Sequence, residues 1–217
     1  MPIWNCRLIK GVKRKEMSTN YPIMLRLNGK KTVVVGGGKV AERKVKGLLG
    51  TGALVSVVSP ELTDELLRLA RDGDIVWLDK TFSKDDIQDA FLVFAATNDE
   101  GVNQFVRSVA KDHQLVMVVD DPEDSDFHVP AQVQRGRLSI TVSTGGASPI
   151  LAGKIREQLE QQFDEQYSDY LEFLFSKRQW ILKEVKDSSL KKKLLTAIVS
   201  EEFLKSEDRE EDFQRLF

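Results

Sequence analysis

The chain has 217 residues, 30% of them charged and almost balanced in sign, for a formal net charge of −2; this is enough to bury a substantial core in one or two domains, and it gives no basis for nucleic acid or a membrane surface as partner. A lone cysteine, Cys6, excludes an intramolecular disulfide framework and fits a reducing cytoplasmic compartment, while His113 and His128 are too few to complete a Cys/His metal set. No apolar run approaches the ~20 residues that a membrane-spanning helix needs.

Residues 1–20 are basic through Arg7, Lys10, Lys13, Arg14 and Lys15, but no apolar stretch follows that would make a signal peptide. Met17 opens a second, more ordinary beginning, so residues 1–20 are expected to form a poorly ordered extension. The strongest local signal comes next. The β-branched run Thr32 to Val35 stops at Gly36, Gly37 and Gly38, and a helical pattern starts near Lys39. The spacing is G-x-G-x-x-A with Ala41 in the third small position. In this pattern Gly36 serves the tight turn, Gly38 lets a pyrophosphate lie against the backbone, and Ala41 allows close helix–strand packing. The helix start adds unpaired N–H groups and a partial positive charge.

Val40, Val45, Leu48 and Leu49 then mark a helical stripe closed by Gly50 and Gly52. Leu54 to Val58 reads as a buried strand, Glu61 to Arg71 as a helix, and Ile75 to Leu78 as a third strand. Ile87 falls in a short helix, Phe91 to Ala96 is a fourth strand, and Val102, Phe105, Val106 and Val109 recur at helical spacing. Leu115 to Val119 is a fifth strand, stopped by Asp120, Asp121 and Pro122. Near-continuously apolar strands alternating with helices imply a parallel sheet covered on both faces, an α/β Rossmann-type arrangement. Ligands of such sheets sit beyond the carboxyl ends of the strands, which selects Gly36–Val40, Ser59–Glu61, Ala96–Asp99 and Asp120–Asp121.

The alternation breaks after Phe127. Val129 to Val133 and Leu138 to Thr144 read as a hairpin around Arg135-Gly136-Arg137, and from Ser148 onward the pattern is helical. Ile150, Leu151, Ile155 and Leu159 form the first helical stripe. Ser188 is placed to cap a later helix, and the tail Glu207 to Asp212 reads as charged and solvated. The expected organisation is an extension over 1–20, a dinucleotide-binding domain over 21–127, a hairpin–helix region over 128–160 and a helical C-terminal domain over 161–217.

At several candidate groups two readings stand. Glu61 follows the second strand, where an acid on the adenosine ribose would favour NAD over NADP; it also suits the first turn of a helix. Ser59 ends that strand, and no arginine occupies the turn. Thr97 can lie against the nicotinamide half of a cofactor, whereas Asn98 and Asp99 suit helix capping. Asp120 and Asp121 sit where a general base would be needed, yet two aspartates before a proline also describe a turn. Ser143-Thr144-Gly145-Gly146 is a second glycine-rich corner, with Ser148 as N-cap and Pro149 at the first helical position. With Arg135 and Arg137 it reads either as a polyanion site or as a well-capped helix with surface cations.

Taken together the chain resembles the precorrin-2 dehydrogenase family of siroheme biosynthesis, which includes stand-alone enzymes and the N-terminal part of siroheme synthase. The resemblance rests on Tyr21-Pro22 with Met24-Leu25, VVVGGGKVAERK over Val33–Lys44, GALVSVVSPEL over Gly52–Leu62, and FAATND over Phe94–Asp99. It continues through Val102-Asn103, VVDDPE with the DF and P that follow it over Val118–Pro130, and STGGASPILAGKIRE over Ser143–Glu157. The resemblance implies oxidation of precorrin-2 to sirohydrochlorin, with a hydride passed to NAD and a proton lost. It places the functional aspartate on Asp120 and the cofactor contacts on the glycine turn with Lys39 and Val40, and on Pro60 and Glu61. Ala96 and Thr97 complete the expected cofactor edge. A tetrapyrrole polycarboxylate suits Ser143, Thr144, Gly145, Gly146, Arg135 and Arg137, and no resident metal site is expected.

The resemblance further implies a homodimer joined through the region after the nucleotide domain. Where related sequences often have asparagine before V-V-D, this chain has Met117. Two rival readings remain. Some family members also insert Fe²⁺ into sirohydrochlorin, a bifunctional dehydrogenase/ferrochelatase. In a different class, a Rossmann domain can serve as an NAD(H)-sensing regulatory module.

Overall fold

The computed structural model describes residues 20–217. Cys6 and nearly all of the basic extension lie outside the described residues. Five parallel strands form one sheet: β1 (Lys31–Val35), β2 (Leu54–Val58), β3 (Val76–Leu78), β4 (Leu92–Ala95) and β5 (Leu115–Val118), in the order β3-β2-β1-β4-β5. The α/β Rossmann-type class expected from the sequence is the one observed. The helices α1 (Lys39–Leu48), α2 (Asp64–Asp72) and α3 (Glu100–Val109) make the crossovers, with a 3-10 turn at Lys84–Ile87. Because successive strand residues face opposite ways, the valine run of β1 feeds two cores at once. Val34 packs with Ala41, Val45 and Leu66, whereas Val33 and Val35 pack with Ile87, Val93 and Val106. The chain steps outward from β1 to β3 and then returns to the other side of β1. The order therefore reverses between β1 and β4, and that crevice is where such sheets take ligands.

Two boundaries and one buried position differ from the sequence expectation, each for a local reason. Helix α2 starts at Asp64, because the Thr63 side chain accepts from the Leu66 N–H and caps it. Glu61 is thus a loop residue and not a first-turn acid. Strand β6 (Ala131–Arg135) begins after Pro130, which has no N–H to give to a ladder, and pairs antiparallel with β7 (Leu138–Val142). Phe105 is exposed and meets Phe82 edge-on at 5.8 Å. The inward position of α3 belongs to Asn103, which is buried.

Strand β5 lies at the sheet border, and the returning segment finishes its hydrogen bonding with side chains. Asp126 accepts from the Val116 N–H (2.9 Å) and donates its own N–H to the Val116 carbonyl (2.8 Å). The Ser125 hydroxyl accepts from the Val118 N–H (2.9 Å).

Beyond the hairpin come α4 (Pro149–Gln162), α5 (Gln166–Glu184), α6 (Ser188–Ala197), α7 (Glu201–Lys205) and α8 (Arg209–Gln214). Tyr170, Ile181, Leu194, Ile198, Phe203 and Phe213 form their own core. Asp187, not Ser188, caps α6, accepting from the Leu190 N–H at 2.6 Å; its carboxylate also complements the helix dipole. The charged tail Glu207 to Asp212 has no buried residue, and Phe213 just after it anchors α8 in that core. On α4 the stripe is not covered at its start: Ile150 and Leu151 are exposed, and Ala152 is the buried residue. No helix among the described residues is long and apolar enough to cross a membrane.

Candidate functional site

The carboxyl edge of the sheet gathers four loops. At the first, Gly36 has φ 115° and donates its N–H to the Val58 carbonyl at 2.9 Å. A Cβ there would fall 2.4 Å from the Ala96 carbonyl oxygen, so only glycine lets β1 and β4 end so close together. Gly37 is tighter still, for a Cβ would sit 1.8 Å from the Glu61 carbonyl oxygen. Gly38 differs from both. It is the N-cap of α1, has no side-chain cap, and faces open space where a Cβ would be. The first N–H groups of this ten-residue helix therefore point at an unfilled surface. Open backbone and a helix dipole together fit the pyrophosphate of a dinucleotide. Ala41 is fully buried, as the third small position requires.

Glu42, one turn into α1, ties this corner to the next. It pairs with Lys39 and Lys46, each at 3.0 Å. The Thr63 hydroxyl is the largest influence on its carboxyl, followed by the two lysines; against the opposing effect of burial they hold its pKa down to about 2. The Thr63 N–H donates to the Gly37 carbonyl at 3.0 Å, so the β2–α2 loop is fastened to the glycine turn through its backbone. On this loop the Ser59 carbonyl accepts from Trp77 Nε1 (2.9 Å), while Pro60 and Glu61 are exposed. Lys39 is exposed and Val40 half-buried.

The β4–α3 loop carries Ala96 and Thr97. Asp99 caps α3, accepting from the Val102 N–H at 3.1 Å. Asn103 binds Thr97 three times. Its Oδ1 accepts from the Thr97 N–H (3.1 Å) and hydroxyl (2.8 Å), and its Nδ2 donates to the Thr97 carbonyl (3.1 Å).

At the end of β5 the two aspartates part ways. Asp121 is a turn residue, its Oδ1 accepting from the N–H groups of Glu123 and Asp124, each at 3.1 Å. Asp120 is exposed, with no side-chain hydrogen bond or ion pair recorded among the described residues. The stretch that returns from this turn is gripped by Arg107 of α3, which reaches Asp126 with two bonds (2.7 and 2.9 Å) and Asp124 with a third at 3.4 Å. Neither Asn103 nor Arg107 was picked out as functional by the sequence reading. The readable signal was a polar residue on the buried face of α3, three places before Val106.

The structure does not bring the proposed polyanion residues together. Arg135 and Arg137 stand at the hairpin turn, whereas Ser143, Thr144, Gly145 and Gly146 follow its far end. Arg135 pairs with Glu165 at 3.2 Å; Arg137 pairs with Glu172 at 2.9 Å and lies 3.6 Å over the Phe175 ring. At the far corner the Thr144 hydroxyl bonds the Ser148 N–H (3.1 Å) and carbonyl (3.0 Å), and Ser143 Oγ accepts from the Gly145 N–H (3.2 Å). Ser148 caps α4 by accepting from the Leu151 N–H at 3.1 Å, with Pro149 behind it.

Residues 23–131 match an NAD(P)-binding family model, residues 135–162 the sirohaem biosynthesis protein central model, and residues 167–213 the SirC C-terminal domain model. The precorrin-2 dehydrogenase of Priestia megaterium is 37% identical over 193 residues, covering 89% of this chain and 96% of the relative. A siroheme synthase of Aeromonas hydrophila is 44% identical over 140 residues, but that alignment takes in 64% of this chain and only 30% of the larger protein. Among solved structures, SirC, a precorrin-2 dehydrogenase, superposes with a TM-score of 0.79 at 37% identity, over 91% of this chain and 98% of that one.

Proposed function

Because this chain belongs to the precorrin-2 dehydrogenase family, we propose that it oxidises precorrin-2 to sirohydrochlorin at the carboxyl edge of its parallel sheet, with NAD⁺ rather than NADP⁺ as acceptor. One observation carries the site assignment: an open glycine–helix corner and an unpartnered carboxylate, Asp120, terminate strands of the same five-stranded sheet. Gly36 to Val40 would hold the pyrophosphate, with Ala96 and Thr97 beside the nicotinamide. Ser59, Pro60 and Glu61 would hold the adenosine ribose. The exposed Glu61 carboxylate suits a free 2′-hydroxyl and repels a 2′-phosphate, which favours NAD⁺.

When bound, the nicotinamide supplies the hydride acceptor. The chain's own task is to orient the macrocycle and to manage the proton. Asp120 takes that proton on a carboxylate oxygen, and its charge steadies the cation that hydride loss leaves on the ring. Of the groups suited to the substrate's carboxylates, the corner from Ser143 to Gly146 presents open backbone, while Arg135 and Arg137 already serve Glu165, just before α5, and Glu172 within it. A homodimer in the cytoplasm is part of the same reading. The exposed Val129, Ile150 and Leu151 are the apolar surface it would cover.

The test is purified protein given precorrin-2 and NAD⁺, with NADH absorbance followed over time. Turnover is expected with NAD⁺ and far less with NADP⁺. Asp120→Ala is expected to keep the fold and NADH binding while losing about 100-fold or more in kcat, the scale of a missing general base. Near-parental turnover in that variant removes Asp120 from the mechanism.

A further inference from the structure

Asn103 and Arg107 sit four residues apart on α3, so they project from the same side of the helix about one turn from each other. They grip different loops. Asn103, 2% exposed, satisfies the N–H, hydroxyl and carbonyl of Thr97, and the backbone dictates which end of its amide faces which partner. Arg107 makes its fork with Asp126, which is itself bonded to the N–H and carbonyl of Val116 in β5. The stretch from Val118 to Asp126 that bears Asp120 is therefore closed at its base.

We propose that Asn103 and Arg107 are positioning residues: α3 holds the Thr97 loop with one and the Asp120 loop with the other, and so fixes the spacing between the cofactor side and the proton-accepting side of the site. This rests on the assignment of the reaction to that sheet edge. A packing role alone would lower stability without separating the two functions. Positioning instead predicts that each side chain governs its own loop.

The experiment uses the full chain with Asn103→Leu, Asn103→Ser, Arg107→Met and Arg107→Lys. Thermal midpoint, NADH binding by nicotinamide fluorescence, and steady-state kinetics are measured for each. Asn103→Leu is expected to weaken NADH binding about tenfold, the scale of a buried hydrogen-bond set left open. Its KM for precorrin-2 should stay within about twofold. Arg107→Met is expected to leave NADH binding within about twofold and to lower kcat at least about tenfold, because a carboxylate displaced by an ångström loses its alignment. Arg107→Lys should fall between, keeping the charge but not the fork. If Asn103→Leu does not fold, Asn103→Ser reads the same binding signal. Folded variants that keep both NADH binding and kcat, or that lose both alike, overturn the proposal. Failure of the parent chain to oxidise precorrin-2 sinks the reaction instead, and NADH binding by the Asn103 variants still reports on that grip.

Discussion

Two corners of this chain carry consecutive glycines just before a helix, and the glycines are there for opposite reasons. At Gly36-Gly37 the surroundings leave no volume for a side chain: the Ala96 and Glu61 carbonyls already occupy it. At Gly145-Gly146 the surroundings are empty, but the backbone turns through φ 59° and 83°, a region that side chains resist. Beside the first corner stands an ionised side chain, Glu42, paired with Lys39 and Lys46, whereas the second is fastened by the neutral hydroxyls of Thr144 and Ser148. Similar letters thus encode close packing at Gly37 and a conformational choice at Gly145 and Gly146, while Gly36, at φ 115°, answers to both. Among the glycines of these two corners, Gly38, open and without positive φ, is free of both constraints.

Substitutions separate these causes. The largest effect is expected from Gly37→Ala, where the added carbon must push the β2–α2 loop off the glycine turn. A loss of about 3 kcal/mol or more in urea denaturation is expected for overpacking against backbone. Gly146→Ala should cost about 1–2 kcal/mol, the penalty of a left-handed non-glycine residue, and Gly146→Asn less. If Gly146→Ala proved costlier than Gly37→Ala, the contrast would be the wrong way round. Gly38→Ala should cost about 1 kcal/mol or less, since alanine is a poorer N-cap than glycine but meets no clash there. Its methyl nevertheless occupies the face assigned to the pyrophosphate, so NADH affinity should fall about tenfold.

Acid sharpens the comparison further. Glu42 has a folded pKa of about 2 against an ordinary 4.5, so its contribution is complete above that ordinary value and fades as pH falls towards the folded one. The stability difference between the parent and Glu42→Gln should therefore shrink across that interval. The hydroxyl-fastened corner contributes no such dependence.

Much of the architecture could be read from the chain because valine runs and helical stripes report burial directly. Coverage of both sheet faces followed from right-handed crossovers, and the glycine turn announced itself between a strand and a helix. The misplaced boundaries came from single side chains: Thr63, two residues beyond Glu61, capping α2, and Asp187 capping α6 in place of Ser188. The site was legible in its backbone and less so in its polar supports. Nothing in the spacing of Arg107 and Asp126 along the sequence announces a pair nineteen residues apart. The resemblance singled out Asp120, but spacing alone did not separate it from Asp121, since both fit a turn until one carboxylate is seen to bond its own loop. Arg135 and Arg137 looked available because the acids that engage them, Glu165 and Glu172, lie just before and within a helix about thirty residues away, beyond any local window.

The finish of β5 has a consequence for association. A border strand normally offers a row of free donors and acceptors on which another chain can align. Here Ser125 and Asp126 occupy those positions at Val116 and Val118. Lateral growth of the sheet on that flank is closed off, so a further strand cannot align on β5.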